Sequence, residues 1–409
     1  MAFRKKAMVS YMTLPLFAPK AEWVAPTEPP NLDEVQELGV DTETHDPELK
    51  IMGPGFLRQA AHTVGVSLAT NDRQWYFPIG HSMENCQWEV ERWLQDELMK
   101  DRKYIFANAQ YDIEALWSIE VDVGGKWIDV LVDQALIDEE FEPGYSLDAV
   151  ARHWLRGVGK SDDILLKHAS HYGAKDITEA KQMMKYLPAS AVGQYAEHDA
   201  RITIDTAQKQ ADHITEQGLT AVVDLERDIM PLTWQMRRNG IRFDRENAER
   251  LNREWLLQED ELLKQIMHTG YRVDPWSGKS IAAYCDKVGI RYGKTPKGNP
   301  SFSKEFFQHK DLTLNTVGKY RALNKMRRDF IQTWLEFSEH DGRIHARWHQ
   351  VASEESGTRS GRFASSDPNL QQVPVRDPYY GPILRALFLP EEGGLFLKGD
   401  YSGQEIRVT

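Results

Sequence analysis

Cysteine is almost missing from this sequence. Only Cys86 and Cys285 occur in 409 residues, far apart and outside any CxxC arrangement. That argues against a disulfide framework and a structural zinc site, and it fits a reducing cytoplasm. Long apolar runs are missing too: no stretch approaches the roughly 20 residues that span a bilayer. Arg4, Lys5 and Lys6 precede only a short stretch broken by Pro15, a poor secretory signal. Positive charge is also scarce. Lys and Arg number 50 against 62 Asp and Glu, a net charge of −12. Taken whole, such a surface repels a polyanion at long range, so nucleic acid would have to be met by local basic surfaces or bound cations. Apolar residues are plentiful, at 41%. That is enough for real cores, and the length suits two or three domains. There is no internal repeat and no low-complexity tract.

Along the chain, residues 1–30 contain five prolines and read as an extended lead-in. Strands are expected at 37–43, 62–70 and 73–80, the last two joined by a turn at Asn71-Asp72. "WEVERWLQDELMK" spaces Trp88, Trp93, Leu94 and Leu98 as a helix does, "KYIFAN" ends a short strand at Asn108, and "YDIEALWSI" reads as a helix. The order implies a mixed α/β domain. A further helix opens in "YLPASAVGQYAEHDARIT", with Ser190 a candidate cap and Tyr195 and Asp199 on one face. Beyond 210 the chain is mostly helical. "NGIRFD" (239–244) separates two long helices, with Asp244 a candidate cap, and "TPKGNPSFS" (295–303) is a loop. In 318–337, Leu323, Met326, Phe330 and Trp334 form an apolar stripe. Lys319, Arg321, Lys325, Arg327 and Arg328 form a basic one, either a solvated face or a track for a phosphate backbone. After 343 short strands and Gly-rich turns take over, with a hairpin expected about Gly393-Gly394 and ending at Asp400.

The stretch "LGVDTETHDPELK" poses the chemical question. Alternate side chains of a strand share a face, so Asp41 and Glu43 project together and repel unless a cation lies between them. Asp112 follows a strand, four residues after Asn108, and Asp199 stands on a helix with Tyr195. Clustered carboxylates with no paired Lys or Arg in their motifs need a cation, and hard oxygen donors select Mg²⁺ or Mn²⁺. Two such ions about 4 Å apart can clamp the oxygens of a phosphodiester displacement. Taken singly each motif is weak: a DxE can be a solvated strand end, Asp112 a helix cap and Tyr195 a core aromatic.

Taken as an ordered set, "VDTET", "NAQYD" and "YAEHD" resemble the three motifs of DEDD-superfamily 3′–5′ exonucleases, in the subclass with a tyrosine in the third motif. The segment 127–155 also resembles the stretch between motifs two and three of proofreading domains. The resemblance implies an RNase H-like exonuclease domain over 31–212. In it Asp41, Glu43 and Asp199 would hold one Mg²⁺ or Mn²⁺, Asp41 would share a second with Asp112 acting through water, and Tyr195 would orient the attacking water. Asn108 would lie near the terminal nucleotide.

Residues 213–409 resemble the start of the polymerase region of phage-like family A DNA polymerases. The resemblance implies a mostly helical thumb over 213–342 and an incomplete α+β palm over 343–409. "SGRFASSDPNLQQVP" resembles the family's TGR…PNLQ signature, with Ser360 where Thr is usual. It would bring Arg362, Asn369 and Gln371 to the primer-template, as Lys325 and Arg328 of the basic stripe would track its backbone. "GDYSGQEIR" resembles motif A, with Asp400 in the metal-binding position and Glu405 in the position that rejects ribose; Glu405 also fits a capping box with Ser402. The sequence stops at Thr409, before any fingers helix or second catalytic aspartate. The expectation is therefore a truncated piece, or one part of a split polymerase gene whose companion polypeptide carries the rest. On its own it would degrade DNA 3′ ends without extending a primer, and would reside in the cytoplasm, that of the host if phage-encoded. The dNTP would be a partner only of the complete polymerase. Two rivals are a stand-alone RNase D-like exoribonuclease and a non-catalytic DNA-binding fragment.

Overall fold

The computed structural model describes residues 21–268, 271–354 and 356–408. Most of the expected lead-in therefore lies outside the described residues. The chain divides into two compact units: one runs to Asn239 and takes in Ala346–Asn369, and the other comprises Gly240–His345 and the residues from Leu370 on.

The first unit is built on a five-stranded sheet, β1 (Glu37–His45), β2 (His62–Ala69), β3 (Gln74–Pro78), β4 (Lys103–Phe106) and β5 (Lys126–Asp129), in the order β3-β2-β1-β4-β5. β1 runs antiparallel to β2 and parallel to β4. Thr70 and Arg73 close the β2–β3 turn through a backbone hydrogen bond. The fifth strand was not foreseen, because "KWID" is four residues long and runs straight into the helix Val130–Ile137. One core holds Leu38, Val40, Val66, Leu68 and Phe106 with Leu94 and Leu98 of the helix Trp88–Leu98. A second holds Ala69, Ile105 and Ile128 with Ala200 and Ile204 of the long helix Gly193–Glu216. The sheet is thus a middle layer, as an alternation of strands and amphipathic helices requires.

Helix Thr220–Asn239, in the stretch read from sequence as the opening of the thumb-like region, packs into the first unit. Met230 and Trp234 enter its core, and Arg237 makes a buried ion pair with Glu114, with Nε 2.5 Å from Oε2. Ala346–Asn369 joins the same unit: Gln110 Nε2 donates to the Trp348 carbonyl and Gln350 Nε2 to the Glu226 carbonyl.

In the second unit Asp244 caps the helix Arg245–His268, accepting from the Asn247 N–H at 3.1 Å. Within "NGIRFD", Ile241–Phe243 forms a short strand between Arg343–Ile344 and Phe388–Leu389. Of the expected loop 295–303, residues 300–301 form a strand, and 295–299 close the small hairpin of Gly293–Lys294 and Pro300–Ser301. The helical stretch expected from 318 begins at Leu312, capped by Asp311, and widens into π-type turns over Met326–Gln332. The hairpin expected at 387–402 has its turn, with Gly393 at φ 74°, but residues 395–400 pair with no strand among the described residues. Leu395 and Leu397 consequently stand exposed.

Candidate metal centre

Asp41 and Glu43 sit on central strand β1, and its pairing with β2 shifts register just after Glu43, a bulge that re-aims the strand end. Opposite them runs the helix Gly193–Glu216. It can come close because Gly39 has no side chain: a Cβ there would stand 2.8 Å from the Ala200 carbonyl oxygen. Asp199 is therefore brought to the strand, and carboxylate oxygens of Asp41, Glu43 and Asp199 lie within 4.8 Å of one another. Among the described residues this is the only such group of three potential ligands. Tyr195 is buried one turn earlier on the same helix. Ser190 does not cap this helix. It lies in the single turn Ala189–Ala191, where its N–H donates to Glu84, and the helix starts after it.

Asp112, in the first turn of the helix Ala109–Trp117, is buried beside the group but is not one of the three. Its Oδ1 accepts from Thr42 Oγ1 at 2.6 Å and from the Thr42 N–H at 3.2 Å. Asn108 turns the chain into that helix with φ 77°, a left-handed conformation that asparagine tolerates. Its N–H donates to Asp129, and its side chain makes no capping bond.

The electrostatics are those of crowded acids. Burial, then the neighbouring Asp199, pushes Asp41 up to about 7 against the pull of Lys160 and Lys181. Burial, then Asp41 and Asp199, holds Glu43 well above the usual carboxylate range. Burial and Asp41 do the same to Asp112, against the Thr42 hydrogen bonds. Burial keeps the Tyr195 phenol well above its ordinary value. Glu43 Oε1, Asp112 Oδ2 and Asp199 Oδ1 are buried without a hydrogen-bond partner among the described residues. Orphaned carboxyl oxygens of this kind carry a full desolvation cost once ionised, and a hard divalent cation is the ligand that fits them.

One cation is supplied by the protein itself. Lys160 Nζ lies 2.5 Å from Asp199 Oδ2, so the reading of these carboxylates as free of any lysine holds within the motifs but not in space. No local periodicity links "GVGKSDD" to the third motif, and sequence reasoning missed it.

The other candidate residues lie elsewhere. Lys325 and Arg328 are exposed and line a groove with Lys304, Lys319 and Arg321. Arg327 leaves the basic stripe: it is buried against Glu259, with Nε 2.6 Å from Oε1, because consecutive residues of a helix cannot share a face. Arg362, Asn369, Gln371 and Asp400 are exposed. Glu405 lies in the short helix Gln404–Val408, and its side chain is outside the described residues.

Residues 245–409 match the family model of DNA polymerase family A. Over 98% of its length the chain is 32% identical to the DNA-directed DNA polymerase of Pseudomonas phage M6, covering 62% of that protein. It is 28% identical to DNA polymerase DpoZ of Salmonella phage PMBT28, over 93% of this chain and 62% of that one. The chain thus spans about three fifths of the length of these relatives. Among solved structures, the POL domain of Pol1 from M. smegmatis, in complex with DNA primer-template and dNTP, shares the fold with a TM-score of 0.64. That match covers 88% of this chain and 57% of that one at 17% identity. Residues 245–409 are therefore similar to DNA polymerase family A, in a chain whose similarity to phage DNA polymerases runs along nearly its whole length.

Proposed function

We propose that the first unit is an RNase H-like 3′–5′ exonuclease that proofreads for a family A DNA polymerase, hydrolysing phosphodiesters at DNA 3′ ends with two divalent ions. The observation that carries this reading is the meeting of Asp41, Glu43 and Asp199 within 4.8 Å, with unpartnered buried oxygens. Asp41, Glu43 and Asp199 would hold one Mg²⁺ or Mn²⁺. Asp41 would share the second with Asp112, whose Oδ2 is left unpartnered while Thr42 fixes its Oδ1. When bound, the ions make a water more acidic and offset the charge of the phosphate. The protein's own part is positioning. Tyr195 keeps its proton and holds the attacking water in line, and Asn108 meets the terminal nucleotide.

The family A-like region, residues 245–409, would hold primer-template. Lys325 and Arg328 would track the phosphates, with Arg362, Asn369 and Gln371 near the primer end. Asp400 would hold a polymerase metal, and Glu405 would select deoxyribose. DNA and dNTP are named in the complex of the solved neighbour, and the match to family A supports the same partners for the complete polymerase.

The test is a labelled single-stranded DNA incubated with the purified chain and Mg²⁺. Stepwise shortening from the 3′ end, stopped by chelation and faster on frayed or mismatched ends than on paired ones, is the expected result. Undiminished hydrolysis in excess chelator overturns the two-ion reading, and cleavage of RNA but not DNA favours an RNase D-like enzyme.

A further inference from the structure

Lys160 comes from the loop that follows the helix Leu147–Trp154, and this loop is built to hold it. The Lys160 N–H donates to Asp148 Oδ1 at 2.8 Å, and Arg152 Nε fixes Asp148 Oδ2 at 2.8 Å. The Gly159 carbonyl meets His198 Nε2 at 2.9 Å, on the helix that carries Asp199. A Cβ at Gly159 would stand 2.3 Å from Asp148 Oδ1, so the close approach depends on glycine there. Thus anchored, Lys160 reaches Asp199 Oδ2 at 2.5 Å and stands 5.3 Å from the centre of the Tyr195 ring. Burial opposes its charge, but Asp199, Tyr195, Asp41 and Glu43 outweigh it and keep the ammonium protonated. An ordinary surface pair has both partners in water. Here the Asp199 side chain is 1% exposed while that of Lys160 is 22% exposed, leaving the lysine a path outward.

We infer that Lys160 is the resident counter-ion of the Asp41–Glu43–Asp199 group and competes with a divalent ion for Asp199. The inference rests on the metal-dependent exonuclease reading. A divalent ion on Asp199 would put two cations within about 4 Å, a repulsion that a partly buried site screens poorly. Entry of the ion therefore requires the flexible lysine stem to swing its ammonium away. Lys160 is on this account a positioning residue: it holds the acids together before the metal arrives and weakens the metal's grip.

The test is Mn²⁺ binding followed by the spin resonance of the free ion, without DNA. It uses the full chain as wild type, K160M, K160Q and K160R, with the double variant D41A/E43A as background. K160M and K160Q should bind Mn²⁺ roughly three- to tenfold more tightly than wild type, and K160R should stay near wild type. Without metal, K160M and K160Q should melt at lower temperature, and Mn²⁺ should raise their Tm more than it raises the wild type's. If K160M folds only with Mn²⁺, that also supports the inference, and K160Q supplies the affinity. Unchanged or weaker binding by K160M and K160Q overturns it while wild-type binding and DNA hydrolysis leave the exonuclease reading standing. If wild type neither binds Mn²⁺ above background nor cuts DNA, the reading itself falls.

Discussion

Asp41 titrates near neutrality because burial and Asp199 both disfavour its charge. The folded protein keeps a proton that the unfolded chain, with a value of 3.8, has already released. Metal-free stability should therefore fall as pH rises from about 4 to about 7. A divalent ion needs the ionised form, so affinity for Mn²⁺ should drop at least about tenfold per pH unit below about 7, and Glu43, also held high by burial, adds to the loss. Titrations at pH 6, 7 and 8 check this, and a flat profile removes Asp41 from the ligand set. The double variant Asp41→Ala, Glu43→Ala should lower exonuclease turnover by about a thousandfold or more, since it removes the centre that stabilises charge. Tyr195→Phe should cost about tenfold, because only the water's orientation is lost. Single-turnover rates on one labelled oligonucleotide compare the two, and a fully active double variant places the chemistry elsewhere. At this scale the sequence was legible where the period is local: the face shared by Asp41 and Glu43 follows from a strand, and that shared by Tyr195 and Asp199 from a helix. Lys160 was not legible, since its place depends on the path of a loop.

The helix Thr220–Asn239 shows what a single element contributes. Arg237 and Glu114 are 2% and 1% exposed and bridge it to the helix that carries Asp112, and Arg227 lies 2.5 Å from the buried Asp133. Removing one partner leaves a charge stranded without water, so Arg237→Met should destabilise the first unit by about 3–5 kcal/mol. Adding Glu114→Gln should recover part of that loss. Urea denaturation of the two variants is the measurement, and equal loss in both would mean the pair's charge is not the cause. The sequence displayed this helix but not its address: amphipathic spacing predicts an apolar face without saying which unit covers it. The same gap explains "NGIRFD", where three residues are too few for alternation to announce a strand. It also explains Arg327, which charge alone assigned to a surface stripe and which instead neutralises Glu259 in the interior.

Across the whole molecule the chain leaves the first unit at Asn239 and returns to it for Ala346–Asn369. A fragment ending at residue 212 would lose Arg227 and Arg237, stranding both Asp133, which burial already pushes up to about 6, and Glu114. One ending at 239 keeps those pairs but loses Gln350, which donates to Glu226, and Asp367, which packs on Gly53. Of three fragments, ending at 212, ending at 239, and the second joined through a short linker to 346–369, only the last should unfold cooperatively. Calorimetry decides, and a sharp transition from the shortest fragment would show that its core closes without these segments. Net charge, −12 for the whole chain, gave no hint of this division. The return also has a consequence in time. A ribosome adding about 5–20 residues per second needs roughly six to twenty-six seconds to travel from Asn239 to Asn369. For that interval the nascent first unit waits with one of its pieces not yet made, open to whatever chaperone or protease meets it first.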